Sequence, residues 1–163
     1  MDKLIYLDNA ATSFPKPEDV YVSMDQFYRK YGVNPGRSGY DLCLEAWAVI
    51  EETRKALTDF FNGRDPNRLC FSYNSTDALN LIIFGMLQRG DHAITTNLEH
   101  NSVLRPLYHL YKYGGVEVDY IPFDGRGFVD PDDFSKKFRN NTKLVIVNQA
   151  SNVIGTVQPV KEI

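Results

Sequence analysis

The sequence predicts an α/β fold in which a mostly parallel sheet is flanked by helices. Two observations carry this expectation. After residue 68, short apolar runs alternate with segments of helical period, a pattern that implies crossover connections between parallel strands. The unusual polar residues then fall just after those runs, where open parallel sheets bind ligands.

The elements follow in order. Pro17 suits a first helical turn, and Val20, Met24, Phe27, Tyr28 and Tyr31 recur at helical spacing until Gly32 ends the run. A loop, Asn34-Pro35-Gly36-Arg37-Ser38-Gly39, leads to a second helix expected over 44–61, with Trp47, Ile50, Leu57, Phe60 and Phe61 as its core stripe. Leu69-Cys70-Phe71-Ser72 reads as a first strand, 76–87 as a helix, Ala93-Ile94-Thr95-Thr96 as a second strand and 102–113 as a helix. Partial alternation over 116–123 gives a third strand. Asp130-Pro131-Asp132-Asp133 starts a helix, with an aspartate cap, proline at the first position and acids in the first turn. Lys143-Leu144-Val145-Ile146-Val147 is a fourth strand. No repeat or low-complexity linker divides the chain.

Composition narrows the classes of function. With 43% hydrophobic residues, the 163-residue chain can supply a substantial core. A net charge of −3, without long runs of either sign, gives no reason to expect nucleic acid or an anionic membrane. No apolar run reaches membrane-spanning length, and the charged N-terminus does not resemble a signal peptide. Cys43 and Cys70 show no metal-ligand spacing, so no metal site is expected; both read as packed thiols in a reducing cytoplasm.

Three polar loops carry the candidate chemistry. Tyr73-Asn74-Ser75-Thr76-Asp77 opens a helix directly after a predicted strand, and free amides at such a helix start make a phosphate or carboxylate cradle. An ordinary Ser/Thr cap is the plainer alternative. Asn97-Leu98-Glu99-His100-Asn101-Ser102 puts an imidazole at the end of the next strand, able to stack on a flat ligand, move a proton or simply cap a helix. Asn148-Gln149-Ala150-Ser151-Asn152-Val153-Ile154-Gly155-Thr156 adds amides and hydroxyls after the fourth strand, in a stretch that also reads as turn chemistry. Three such loops at neighbouring strand ends imply one binding site.

Five motifs in order resemble the class V aminotransferases, in their cysteine desulfurase and selenocysteine lyase branch. They are Tyr6-Leu7-Asp8-Asn9-Ala10-Ala11-Thr12, Asn34 to Gly39, Ser75-Thr76-Asp77-Ala78, Leu98-Glu99-His100-Asn101-Ser102 and Ser151-Asn152-Val153-Ile154-Gly155-Thr156. The resemblance implies the pyridoxal 5'-phosphate fold type I large domain, in part. Residues 1–35 would be an N-terminal segment and helix, and 36–163 the first portion of the cofactor-binding domain. It implies that Ser75 and Thr76 hold the cofactor phosphate, that His100 stacks on the ring and assists proton transfer, and that Asn152 bonds the ring hydroxyl. The implied reaction takes sulfur from L-cysteine and leaves L-alanine, in a homodimer when full length, with a possible sulfur-acceptor protein as partner.

The family pattern continues with an aspartate for the ring nitrogen and a Ser-x-His-Lys segment whose lysine carries the cofactor. None of the nine lysines here lies in that context, and neither cysteine matches the family's sulfur-accepting one. The expectation is a truncated chain, inactive alone. Selenocysteine lyase, epimerase-like and kynureninase-like relatives share these motifs and stay open as alternatives, as does a non-catalytic fragment that binds phosphate or a partner chain.

Overall fold

The computed structural model describes residues 4–163; the opening Met1-Asp2-Lys3 of the N-terminal segment lies outside them. The chain forms two compact units, the first ending at Cys70 and the second running Phe71–Ile163.

In the first unit, α1 (Glu18–Tyr31) begins after Pro17 and stops at Gly32, as its spacing predicts. Its apolar residues are not core, however: Val20, Met24 and Tyr28 are exposed, and only Phe27 and Tyr31 are half-buried. Helix α2 (Asp41–Phe60) likewise buries a different set from the expected stripe. Cys43, Ala46 and Thr58 are inside, Ile50 and Leu57 are half-buried, and Trp47, Phe60 and Phe61 are exposed. Helical period identifies an apolar face, but small side chains permit the close approach that removes one from water, and the buried residues of α2 are small ones.

The segment Leu69-Cys70-Phe71-Ser72 is not a strand. It lies outside the three-stranded sheet, and the Leu69 carbonyl accepts from the Arg54 guanidinium. Cys70 is exposed, while Cys43 is buried with its thiol donating to Asn34 O.

The second unit holds the sheet. Its three strands, β1 (His92–Thr96), β2 (Glu117–Ile121) and β3 (Thr142–Val145), are parallel in the order β2-β1-β3. Three of the four expected strands are therefore present. Helix α3 (Ser75–Met86) precedes β1, α4 (Asn101–His109) follows it, and the short α5 (Pro131–Ser135) leads into β3. The turn of 110–114 is wider than an α-helix, and it ends at Gly115, whose φ of 71° returns the chain to β2. Asp130 caps α5 as its sequence predicts, its carboxylate accepting from Asp132 N at 3.0 Å.

Successive residues of a strand face opposite sides, and β1 shows what each side meets. Ala93 packs with Ile83 of α3, Leu87 just after it, and Val103 and Leu107 of α4; Ile94 packs with Ile121, Val129 and Phe134 of α5. All five residues of β1 are buried because helices cover both faces. Among the described residues, no helix is long and apolar enough to cross a membrane, and no group of three His, Cys, Asp or Glu could hold a metal ion.

Candidate functional site at the strand ends

The helix starts place the predicted residues. Asn74 caps α3, its side-chain oxygen accepting from Asp77 N at 2.9 Å, and Asp77 returns the bond by accepting from Tyr73 N at 3.4 Å. This reciprocal cap is made by Asn74, so Ser75 and Thr76 are not spent on it. Their amides precede the first helical bond, from Ala78 N to Asn74 O, and among the described residues their hydroxyls make no hydrogen bond. Two amides and two hydroxyls stand at the positive end of a 12-residue helix, the kind of helix start that favours an anion.

His100 caps α4. Its Nδ1 accepts from Ser102 N at 3.1 Å and lies 2.8 Å from the Ser102 hydroxyl. An Nδ1 that accepts an amide proton carries none, so the neutral ring keeps its hydrogen on Nε2 and presents a donor away from the helix. Thr76 and His100 line one open hollow of about 470 Å³, together with Asn80, Ser102, Arg105 and His109. No carboxylate and no lysine line it. A larger hollow of about 650 Å³, formed in the first unit by residues 58–69, contains none of the predicted site residues.

Asn152 stands in the tight turn after β3, where Gly155 N donates to Ser151 O at 3.0 Å and the Ser151 hydroxyl accepts from Val153 N and Ile154 N. It is exposed and does not line the hollow of Thr76 and His100.

Sequence reasoning quoted Glu99 only as part of a motif and assigned it nothing. It is 8% exposed, and its Oε1 accepts from the Thr96 hydroxyl at 2.8 Å and from Asn148 N at 2.7 Å. Burial pushes its carboxyl above the ordinary glutamate range, and these two hydrogen bonds oppose that shift. A signal did exist in the sequence: a glutamate beside an apolar strand end needs partners if it is buried, and a threonine sits three residues earlier.

Known proteins supply the context for this geometry. The family model described as Aminotransferase class-V matches residues 5–163. The chain is 36% identical to a cysteine desulfurase of Dictyoglomus turgidum over 100% of its own length and 41% of that protein's. It is 35% identical to a probable cysteine desulfurase of Methanothermobacter thermautotrophicus, over 98% of this chain and 39% of the relative. Among solved structures, the apo cysteine desulfurase of Thermococcus onnurineus matches with a TM-score of 0.88 and 36% identity, over 97% of this chain and 40% of that one. A structure of SspA in complex with cysteine matches with a TM-score of 0.85 and 27% identity, over 96% of this chain and 45% of that one. The chain thus spans well under half the length of these relatives. Its fold is a partial version of theirs, and the chain belongs to the class V aminotransferase family.

Proposed function

We propose that this chain is part of a pyridoxal-phosphate enzyme that removes sulfur from L-cysteine and leaves L-alanine. One observation carries the reading: Thr76, beside the free amides at the start of α3, and His100, with an outward Nε2–H, share one hollow free of carboxylates. That donor set fits a phosphorylated, planar cofactor. The relatives named above support the choice of cysteine as substrate.

In this reading the amides of Ser75 and Thr76 and the Thr76 hydroxyl bind the phosphate group. His100 would face the bound cofactor and can hold or pass a proton at Nε2, and Asn152, in the exposed turn after β3, would supply an amide for the ring hydroxyl. Bound cofactor supplies the electron sink; the protein orients it and excludes water. The 163-residue chain alone is inactive, since no lysine lines the hollow. The full-length enzyme is a cytoplasmic homodimer that passes sulfur to an acceptor protein.

The test is a chimera in which this chain replaces the matching part of the Dictyoglomus turgidum desulfurase. Cysteine-dependent release of alanine and sulfide is the expected result. A folded chimera that binds the cofactor and releases no alanine from cysteine overturns the reading.

A further inference from the structure

The order β2-β1-β3 makes the gap between β1 and β3 a switch point, since the chain leaves β1 toward β2 on one side and reaches β3 on the other. Ligands of open parallel sheets sit beyond the carboxyl ends of strands at such points. The ladder across this gap runs through Ile146 N, which donates to Ile94 O at 2.9 Å, and the Thr95 hydroxyl reinforces it by donating to Ile146 O at 3.1 Å. In a parallel ladder the next donor on that edge is two residues on. That donor is Asn148 N, and its bond goes 2.7 Å to the carboxylate of Glu99.

A side chain therefore takes the place of the next backbone acceptor. The same oxygen also receives the Thr96 hydroxyl at 2.8 Å, and that hydroxyl accepts from Leu98 N at 3.1 Å. The three bonds fix the turn of 97–100 at one end and the start of the loop to Asn152 at the other. Glu99 is next to His100 in sequence, and its carboxylate lies on the strand side of the turn, buried.

We infer that Glu99 is the positioning residue of this site: by standing in for a backbone carbonyl at the switch point, it sets the separation of the ends of β1 and β3 and so the direction of His100. The inference rests on the proposed function for its ligand but not for its geometry. What the position requires is an acceptor oxygen, so glutamine should serve and alanine should not.

The experiment uses the full 163-residue chain with Glu99→Gln and Glu99→Ala. Amide hydrogen exchange is read at Asn148 and, as an internal control, at Ile94; the His100 ring is read by NMR. Pyridoxal phosphate and inorganic phosphate are titrated in parallel. In Glu99→Ala, Asn148 should exchange roughly tenfold faster or more while Ile94 is unchanged, because its buried acceptor is lost locally. The His100 signals should move, and pyridoxal phosphate should bind roughly tenfold more weakly with phosphate affinity unchanged, since the cradle on α3 is untouched. Glu99→Gln should restore all of these. The inference is overturned by unchanged Asn148 exchange in Glu99→Ala, by a glutamine variant that behaves like the alanine one, or by equal weakening of both ligands. If the unsubstituted chain binds phosphate but shows no added affinity for pyridoxal phosphate, the functional reading falls, and Asn148 exchange with the His100 signals still decides the positioning role.

Discussion

His92 Nε2 lies 3.3 Å from Asp119 Oδ2, while its Nδ1 meets the Thr142 hydroxyl at 2.8 Å, so one fully buried imidazole joins the amino ends of β1 and β3 to the middle of β2. The Asp119 contact lacks hydrogen-bond geometry, leaving Nε2 without a satisfied partner. Burial is the main reason the ring titrates below the ordinary histidine range; nearby Arg139 adds to it, and Asp119 and Glu117 pull the other way. Arg139 and Lys137 engage the same carboxylates: Arg139 reaches Asp119 at 2.7 Å and also pairs with Glu117, and Lys137 reaches Asp119 at 3.5 Å.

A depressed histidine pKa means the unfolded chain binds more protons than the folded one just below the unfolded value. Stability from His92 is then complete above about pH 6.5 and is lost as the pH falls through the lower folded value. Urea midpoints measured between about pH 7 and 5 should decline for the unsubstituted chain and decline less for His92→Gln. Glu99, whose folded value is raised, contributes in the opposite sense but equally in both proteins, so the difference between them isolates His92. Identical slopes would assign the pH dependence elsewhere.

His100 caps α4, and its proposed role toward the cofactor can be separated from that cap. Replacing it with alanine removes the α4 cap, which should lower stability by about 1 kcal/mol, and should also weaken pyridoxal phosphate binding. His100→Asn keeps a capping acceptor without the ring. It should recover the unfolding free energy and leave binding impaired, measured by urea unfolding and absorbance titration. An asparagine variant that binds normally would reduce the imidazole to a cap.

The cradle on α3 divides in the same way. Thr76→Val removes a hydroxyl at nearly constant shape and should weaken phosphate binding roughly threefold to tenfold with stability unchanged. Asn74→Ala removes the cap and should cost about 1 kcal/mol in unfolding. Affinity for inorganic phosphate itself should be millimolar, about 4 kcal/mol. Amide shifts at Ser75 and Thr76 during titration report it, and shifts elsewhere would relocate the anion site.

Mixed with pyridoxal phosphate and cysteine, the 163-residue chain should release no alanine or sulfide above the protein-free rate. Borohydride should trap no adduct at a single lysine, because activation of the cofactor aldehyde needs an amine held against it. One dominant modified lysine together with alanine release would refute the inactivity of the isolated chain.

The sheet was legible where the chain announces its own neighbours. β1 is a buried run whose two faces are matched by helices adjacent in sequence, so alternation alone located it, and the cap of α5 follows from four residues in a row. The stripe of α2 and the segment Leu69-Cys70-Phe71-Ser72 were misread for one reason: apolar character states a demand for burial or pairing, and something distant in sequence must meet it. The site shows the same limit. Thr76 and His100 stand at helix starts that the pattern marks, but the cap by Asn74 rather than Ser75 depends on rotamers. Glu99 gains its role only from Asn148, 49 residues away, which no local pattern encodes.

The parallel pairing of β3 with β1 has a consequence for how the chain behaves in solution. Among the described residues, β3 meets a strand on one side only, so every second peptide group of Thr142–Val145 points its hydrogen-bonding capacity outward. Leu144 and Val145, half-buried, extend that edge with apolar surface. Pairing of that edge with a second copy would link folding to association, so that mass action would govern the observed transition. The melting temperature should rise with protein concentration, and a charged substitution on the rim, Lys143→Glu beside Leu144, should alter the concentration dependence more than the melting temperature of the dilute chain.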